Sequence, residues 1–204
     1  MATALRHGPV AANALHVCVD MQMLFASGAP WQVPWFEKTL PRIEQLVAAH
    51  AAATIFTRFL PPKRSSDAVG MWRRYYEKWR SVTLEQIDPA MVELAPDLAR
   101  YSPPAVIIDK TVYSPWIQGR LDGHLWRRPT TTLVISGAET DVCVLATVLG
   151  AIDRGFRTII AADAVCGSAD ETHDAMMRFY ASRFSEQVEL ASTEEILANW
   201  PIRE

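Results

Sequence analysis

Short apolar segments rich in β-branched residues alternate along this chain with longer segments of helical periodicity. Most of the apolar segments are continuously hydrophobic, as strands are when helices cover both faces of their sheet. The predicted strands are residues 15–20, 54–59, 105–109, 131–136, 158–162 and 187–191. The predicted helices are residues 40–52, 116–126, 140–154, 170–184 and 193–200. The pattern predicts an α/β fold, with a mostly parallel sheet between two helical layers and right-handed crossovers.

Two residue types indicate where helices begin and end. Pro41 follows Thr39 and suits the first turn of a helix, where its missing N–H has no partner to lose. Gly155 follows another helical segment and suits its C-terminal end. The sequence therefore predicts a helix that starts near Thr39 and a second that stops before Gly155.

The length of 204 residues allows one sizeable core and is too short for two independent domains. We expect one domain over residues 14–204, preceded by a flexible tail over residues 1–13. The tail has no apolar region typical of a leader, and no apolar run is long enough to cross a bilayer. A net charge of −3 gives no electrostatic reason to expect nucleic acid or an anionic membrane as a partner. A small molecule is the expected partner.

The cysteines indicate neither a disulfide framework nor a zinc site. Cys18, Cys143 and Cys166 are odd in number, far apart and free of any C-x-x-C pair. A reducing cytoplasm is the compartment that fits this usage best.

A long connection, residues 61–104, interrupts the alternation of strands and helices. Residues 71–79 within it predict a short helix, and connections of this length are usually lids, substrate loops or subunit contacts. Its cations could recognise an anion, or they could form a solvated face. These cations are Lys63, Arg64, Arg73, Arg74, Lys78 and Arg80.

Cys143 lies at the N-terminal end of a predicted helix. Unpaired N–H groups and the helix dipole favour a thiolate there, and such positions lower a cysteine pKa to roughly 3.5–7.5. This placement predicts a nucleophile. The alternative is a small buried hydrophobic residue on an apolar helix.

Three chemically complementary residues follow or end predicted strands. Asp20 closes the first strand, Lys110 follows the third, and Cys143 follows the fourth across a tight turn. Ligands of open α/β sheets bind outside the carboxyl ends of the strands, so these residues are expected to converge at one edge. A carboxylate can accept the thiol proton and return it to a leaving amine, while an ammonium group keeps the carboxylate ionised. The alternatives are a strand-end cap at Asp20 and a surface cation at Lys110.

The residues around these positions form recognisable motifs. They are VCVDMQ at residues 17–22, DKTVYSPW at 109–116, SGAETDVCV at 136–144, and ADAVCGS at 162–168 followed by His173. The third matches a G-x-x-T-D-x-C-V signature. Together they resemble the isochorismatase-like cysteine hydrolases, which include nicotinamidases, N-carbamoylsarcosine amidohydrolase, ureidoacrylate amidohydrolase and biuret hydrolase. The resemblance covers nearly the whole chain.

This resemblance implies a three-layer αβα sandwich whose six-stranded, mostly parallel sheet has the order 3-2-1-4-5-6. It also implies a catalytic triad of Asp20, Lys110 and Cys143. The backbone N–H groups of Glu139 and Cys143 would form an oxyanion hole, with a cis peptide between Ala138 and Glu139. Cys143 would attack a carbonyl attached to nitrogen, release ammonia or an amine, and leave an acyl-enzyme for water to hydrolyse. Homodimers or homotetramers are expected, since relatives commonly form them.

Departures from the family pattern narrow the expected chemistry. Nicotinamidases carry metal-binding aspartate and histidines after the second strand, whereas residues 57–64 (TRFLPPKR) contain no histidine. The histidines are scattered, so we expect no metal and no cofactor. They are His7, His16, His50, His124 and His173. Isochorismatases proper cleave a vinyl ether without covalent catalysis, so Cys143 favours amide chemistry.

Other functions remain as alternatives. A noncatalytic binder or scaffold of the same fold and an isochorismatase-type vinyl ether hydrolase are both compatible with one sequence. Three other enzyme classes with similar sheets are disfavoured because their motifs are missing. The chain has no G-x-G-x-x-G of a dinucleotide oxidoreductase, no second aspartate two residues after Asp20 as in a haloacid-dehalogenase-like phosphatase, and no G-x-S-x-G of a serine hydrolase.

The substrate pocket is predicted from aromatic residues on loops near the catalytic strands and on the long connection. Such rings would supply apolar walls, although large aromatic residues also pack in cores and interfaces. The candidates are Phe25, Trp35, Trp72, Tyr113 and Trp116. Arg58 could bind a substrate carboxylate or pair with a protein carboxylate. Trp72, Tyr75, Tyr76 and Trp79 could form a subunit contact or pack on their own sheet.

Overall fold

A six-stranded sheet forms the centre of the computed structural model, which describes residues 5–202. Its order is β3-β2-β1-β4-β5-β6, and every neighbouring pair is parallel. The strands are β1 (Leu15–Val19), β2 (Thr54–Phe59), β3 (Val106–Lys110), β4 (Thr132–Ala138), β5 (Arg157–Cys166) and β6 (Val188–Ala191). The predicted α/β class and strand order are confirmed.

Helices cover both faces of this sheet. They are α1 (Phe36–His50), α2 (Met71–Lys78), α3 (Pro96–Ala99), α4 (Arg120–Leu125), α5 (Cys143–Asp153), α6 (Asp170–Arg183) and α7 (Thr193–Asn199). One core cluster joins the sheet to α1 and α7, and a second joins it to α4, α5 and α6. Neighbouring residues of β1 enter different clusters, Cys18 the first and Val17 and Val19 the second, as the period of a strand requires. Within the described chain, none of the helices combines the length and apolar character that crossing a membrane requires.

Several predicted element ends were wrong. Helix α1 begins at Phe36, because Phe36 is buried in the core and the Thr39 N–H donates to the Trp35 carbonyl. Pro41 therefore lies inside the helix. The helix predicted from residue 116 is only α4, and α5 starts at Cys143, three residues later than predicted. Gly155 does follow the end of α5, with a φ of +76°.

Residues 5–13 pack against the domain, contrary to the flexible tail predicted for residues 1–13. Leu5 and Val10 are 2% exposed and belong to the core. The Arg157 guanidinium donates to the Gly8 and Pro9 carbonyls at 2.7 and 2.8 Å. Apolar burial and these hydrogen bonds hold the segment against β5; residues 1–4 lie outside the described residues.

The long connection folds back over the carboxyl edge of the sheet. Gln22 fastens it, since its Nε2 donates to the Val92 carbonyl at 2.7 Å and to the Phe59 carbonyl at 3.1 Å. The Phe59 N–H in turn donates to Gln22 Oε1 at 2.7 Å. The aromatic residues of α2 pack on the chain's own core, with Tyr76 only 1% exposed. The connection thus places its aromatic rings above the edge where the candidate catalytic residues meet.

Candidate active site

Asp20, Lys110 and Cys143 converge at the carboxyl edge of the sheet. Asp20 follows β1, Lys110 is the last residue of β3, and Cys143 is the first residue of α5. Lys110 Nζ lies 2.6 Å from Asp20 Oδ2 and 3.4 Å from Cys143 Sγ. All three are buried, with exposed fractions of 0%, 1% and 6% in chain order. The geometry therefore joins a base, a cation and a thiol in one shielded cluster.

Lys110 reaches this cluster across an intervening strand. Strand β2 lies between β3 and β1, so the side chain must cross it to meet Asp20. Its ammonium lies 5.0 Å from the centre of the Phe59 ring, at the end of β2. It also donates to the Val112 carbonyl at 3.2 Å. The aromatic face and the carbonyl assist Asp20 in holding a buried cation.

The Asp20 carboxylate is fixed by an unusual backbone and by Thr57. Asp20 has a φ of +50°, and among residues 5–202 no other residue except glycine has a positive φ. Short polar residues tolerate this conformation better than most, although it still costs about 1–2 kcal/mol. Thr57 Oγ1 donates to Asp20 Oδ1 at 2.5 Å, and the Asp20 N–H lies 3.2 Å from the same hydroxyl. These contacts aim the carboxylate at Lys110 and Cys143.

A tight turn between β4 and α5 presents Cys143. The end of β4 needs glycine at residue 137, because its φ is +111° and an added Cβ would lie 2.1 Å from the carbonyl oxygen of Val19 on β1. The peptide bond between Ala138 and Glu139 is cis. The Val142 and Val144 N–H groups donate to the Glu139 carbonyl, each at 3.0 Å. Cys143 opens α5, where the first N–H groups have no partner within the helix.

Residues of α6 and β5 anchor the same turn. The Thr140 N–H donates to the Cys166 carbonyl at 2.9 Å, and Tyr180 donates to the Thr140 carbonyl at 2.8 Å. Thr140 Oγ1 lies 2.8 Å from His173 Nδ1. The T-D-x-C-V motif and the downstream histidine are thus parts of one hydrogen-bonded unit.

The electrostatics of the site favour a neutral thiol. Burial raises the pKa of Cys143 well above its ordinary value, and the Asp20 charge raises it further, while Lys110 opposes both. The thiolate predicted from the helix N-terminus is therefore wrong for the unliganded site. Burial lowers the pKa of Lys110, but the charge of Asp20 and the hydrogen bonds with Asp20 and Cys143 outweigh it and raise that pKa. The resting cluster is then an ion pair of Asp20 and Lys110 beside a thiol whose sulfur accepts from Lys110 Nζ at 3.4 Å.

A cavity of about 420 Å³ opens above Cys143. This volume suits a small organic molecule. Six aromatic rings line it: Phe25, Trp31, Phe59, Tyr75, Trp79 and Tyr113. Glu139, Ser168 and Gln32 are the polar residues that line it, besides the thiol itself. The site can therefore enclose a substrate and bring its reacting carbon to the sulfur.

Two of the predicted pocket residues, Phe25 and Tyr113, lie in this lining. Trp116 lies elsewhere, since it is 5% exposed and its Nε1 donates to the Thr147 carbonyl at 3.0 Å. Trp35 lines a different cavity and donates to Asp170 at 2.7 Å.

Trp72 and Arg58 also lie outside the lining. Trp72 packs behind it, with its ring centre 4.8 Å from that of Tyr113. Arg58 is paired with Asp109 at 2.8 and 3.1 Å and with Glu93. The protein carboxylates therefore occupy the guanidinium that could have bound a substrate.

The sequence did not predict four of the rings or the Glu139 side chain as pocket residues. Tyr75 and Trp79 are four residues apart in the predicted helix 71–79, so they share a face, but that face was assigned to a possible subunit contact. Trp31 lies in a loop without periodicity and offers no comparable signal. Among residues 5–202, no three His, Cys, Asp or Glu side chains are grouped to hold a metal ion.

Comparisons with known proteins agree with this architecture. A family model described as "Isochorismatase domain" matches residues 14–192. A cysteine hydrolase from Pseudomonas syringae pv. phaseolicola superposes with a TM-score of 0.80, 24% identity and 94% of each chain covered. N-carbamoylsarcosine amidase from Thermoplasma acidophilum superposes with a TM-score of 0.71 and 18% identity, over 89% of this chain and 96% of the other. At these identities the structural similarity establishes the fold.

Two curated relatives from Bacillus subtilis match shorter segments. The uncharacterized isochorismatase family protein PncA is 31% identical over 88 residues, which cover 43% of this chain and 48% of that protein. The uncharacterized isochorismatase family protein YwoC is 35% identical over 77 residues, which cover 38% and 39%. The chain thus aligns with less than half the length of the curated relatives it matches.

Proposed function

This chain belongs to the isochorismatase family, and from that premise we propose that it is a cysteine hydrolase of small C–N compounds. Its substrate class is an amide, ureide or carbamoyl compound. The observation that supports the proposal most strongly is the contact of Lys110 Nζ with both Asp20 Oδ2 and Cys143 Sγ, at 2.6 and 3.4 Å, below an open cavity.

The first half of the reaction forms a covalent intermediate. Cys143 Sγ attacks the carbonyl carbon while its proton moves to Asp20, so the sulfur gains charge only as the new bond forms. This order suits a thiol whose pKa burial and Asp20 raise. The N–H groups of Glu139 and Cys143 would stabilise the oxyanion. Asp20 then returns the proton to the leaving nitrogen as the C–N bond breaks.

The second half of the reaction restores the enzyme. Water attacks the thioester carbon and gives a proton to Asp20, which returns it to the departing Cys143 sulfur. The products are an acid and free ammonia or amine. The Lys110 ammonium donates to Asp20 Oδ2 at 2.6 Å and keeps this carboxyl group oriented for the proton transfers.

Amide chemistry fits the site better than cleavage of a vinyl ether. Vinyl ether hydrolysis by the isochorismatases proper needs no nucleophile, whereas here a thiol lines the floor of the cavity within reach of a base. A noncatalytic binder would need neither the thiol nor its buried ion pair.

Ammonia release across a panel of small amides, ureides and carbamoyl compounds tests the proposal. We expect turnover of at least one compound and a loss of at least about 1,000-fold in Cys143→Ala, because the nucleophile is removed. Cys166→Ala is the matched control, since it deletes a buried thiol that contacts Thr39 and lies outside the cluster. No turnover of any compound would favour the noncatalytic alternative, whereas undiminished turnover by Cys143→Ala would contradict the role of Cys143 as the nucleophile.

A further inference from the structure

The cavity above Cys143 combines many aromatic rings with one carboxylate. No cationic side chain lines it among residues 5–202, while Glu139 does. The cations of Lys110 and Arg58 are already paired, Lys110 with Asp20 and Arg58 with Asp109 and Glu93. An anionic group in this cavity would meet a carboxylate and no free counter-charge.

The rings of the lining are arranged around Trp31. Its centre lies 6.0 Å from the centres of Phe59, Tyr75 and Trp79. The interplanar angles are 56°, 55° and 82° respectively, so the rings form walls that face different directions. The negative faces of Trp and Tyr rings attract ammonium groups, most strongly where water is excluded.

Acidic groups lie around the carboxyl group of Glu139. Burial raises the pKa of Glu139, and Asp141 and Asp20 raise it further, although a hydrogen bond with Ser168 opposes the shift. A bound cation would favour the carboxylate form of Glu139 and lower this pKa again. The pKa of Tyr75 is raised by burial first and then by neighbouring groups that include Glu139, so the influence of this carboxylate extends to the rings.

We propose that the substrate carries a cationic group, a protonated or quaternary ammonium, which binds among Trp31, Tyr75 and Trp79 with Glu139 as its counter-charge. The scissile carbonyl would then lie over Cys143, which lines the same cavity. This second placement rests on the proposed function; the binding of the cation does not and is measured separately.

Binding of three ligands of one shape tests the charge preference without any turnover. Calorimetry on the wild-type protein compares choline with its neutral carbon analogue, 3,3-dimethylbutan-1-ol, and with the anion 3,3-dimethylbutanoate. We expect choline to bind about 5- to 30-fold more tightly than the alcohol, the range of cation–π contacts from partly exposed to desolvated. The anion is expected to bind more weakly than the alcohol. Equal or weaker binding of choline, or no binding of it at millimolar concentrations, would overturn the proposal.

Variants locate the binding to this cavity. Glu139→Gln and Trp79→Leu should each reduce the preference for choline over the alcohol, while the exposed Glu186→Gln should leave it unchanged. An unchanged preference in both cavity variants would place the cation elsewhere and overturn the proposal. Hydrolysis of a trimethylammonium amide is then compared with that of its tert-butyl analogue. Selective choline binding without hydrolysis of any amide would contradict the proposed function and leave the cation site standing.

Discussion

Replacing Lys110 with methionine should destabilise the protein strongly. The ammonium is 1% exposed and donates to Asp20, to Cys143 and to the Val112 carbonyl. Methionine fills similar space but leaves the Asp20 carboxylate buried, with the Thr57 hydroxyl as its remaining side-chain donor. Breaking a buried ion pair by removing one partner typically costs about 3–5 kcal/mol. That is a large part of a usual total stability of about 5–15 kcal/mol.

A second substitution distinguishes the effect of an unpaired, buried Asp20 carboxylate from the effect of lost side-chain packing. Asp20→Asn added to Lys110→Met removes the uncompensated carboxylate, so the double variant should recover about 2 kcal/mol or more of the loss. The free energy of unfolding is measured by urea titration at pH 7, followed by tryptophan fluorescence and circular dichroism. Arg64→Met is the control, because its pair with Glu85 is largely exposed and should contribute no more than about 1 kcal/mol. A loss below about 1 kcal/mol in Lys110→Met, or a double variant as unstable as the single one, would refute the reasoning.

Three further predictions concern single sites. Burial first lowers the pKa of His16 from 6.5 to about 3, so between these pH values His16 is neutral when folded and protonated when unfolded. Stability should fall by about 1.4 kcal/mol per pH unit as the pH drops from 6.5 to about 3, and urea midpoints of His16→Asn should show a shallower fall than those of the wild type. Gly137→Ala should lower the melting temperature more than Gly155→Ala, because the added Cβ would clash with the Val19 backbone at residue 137 and meet no atom within 4 Å at residue 155. An equal decrease in melting temperature in the two variants would count against the close contact between Gly137 and Val19. Alkylation of Cys143 by iodoacetamide should be slow at pH 7 and accelerate only above the ordinary thiol value of 9.0, since its pKa is raised; a rate that saturates below pH 8 would contradict this.

The sheet and the position of the cluster were predictable because they depend on local pattern. Continuously apolar segments identify buried parallel strands, and parallel strands bring their carboxyl ends to one edge. Asp20, Lys110 and Cys143 each lie within one residue of a strand or helix end. The rule that ligands bind outside the carboxyl ends of parallel strands was therefore sufficient to group them.

The ionisation of the thiol was not predictable from the same pattern. The position at a helix N-terminus argues for a thiolate, but burial and the nearby Asp20 outweigh it. Both effects depend on what the long connection covers and on side-chain distances of a few ångströms.

The composition of the pocket also depends on tertiary detail. Arg58 is paired with Asp109 because the two residues are register partners on β2 and β3, and strand register is not readable from either segment alone. Trp31 reaches the cavity from an irregular loop, which has no period that could predict its direction. Helix periodicity groups Tyr75 with Trp79 but does not indicate whether their face meets a cavity or a subunit.

During turnover, Cys143 is expected to form a covalent bond to the carbonyl carbon of a C–N substrate. Rapid acid quenching followed by intact-protein mass spectrometry measures this directly, with the modified residue located by peptide mapping. We expect a mass increase equal to the acyl group of the substrate on Cys143, and none in Cys143→Ala. Steady ammonia release with no adduct at any quench time, continuing in Cys143→Ala, would contradict it.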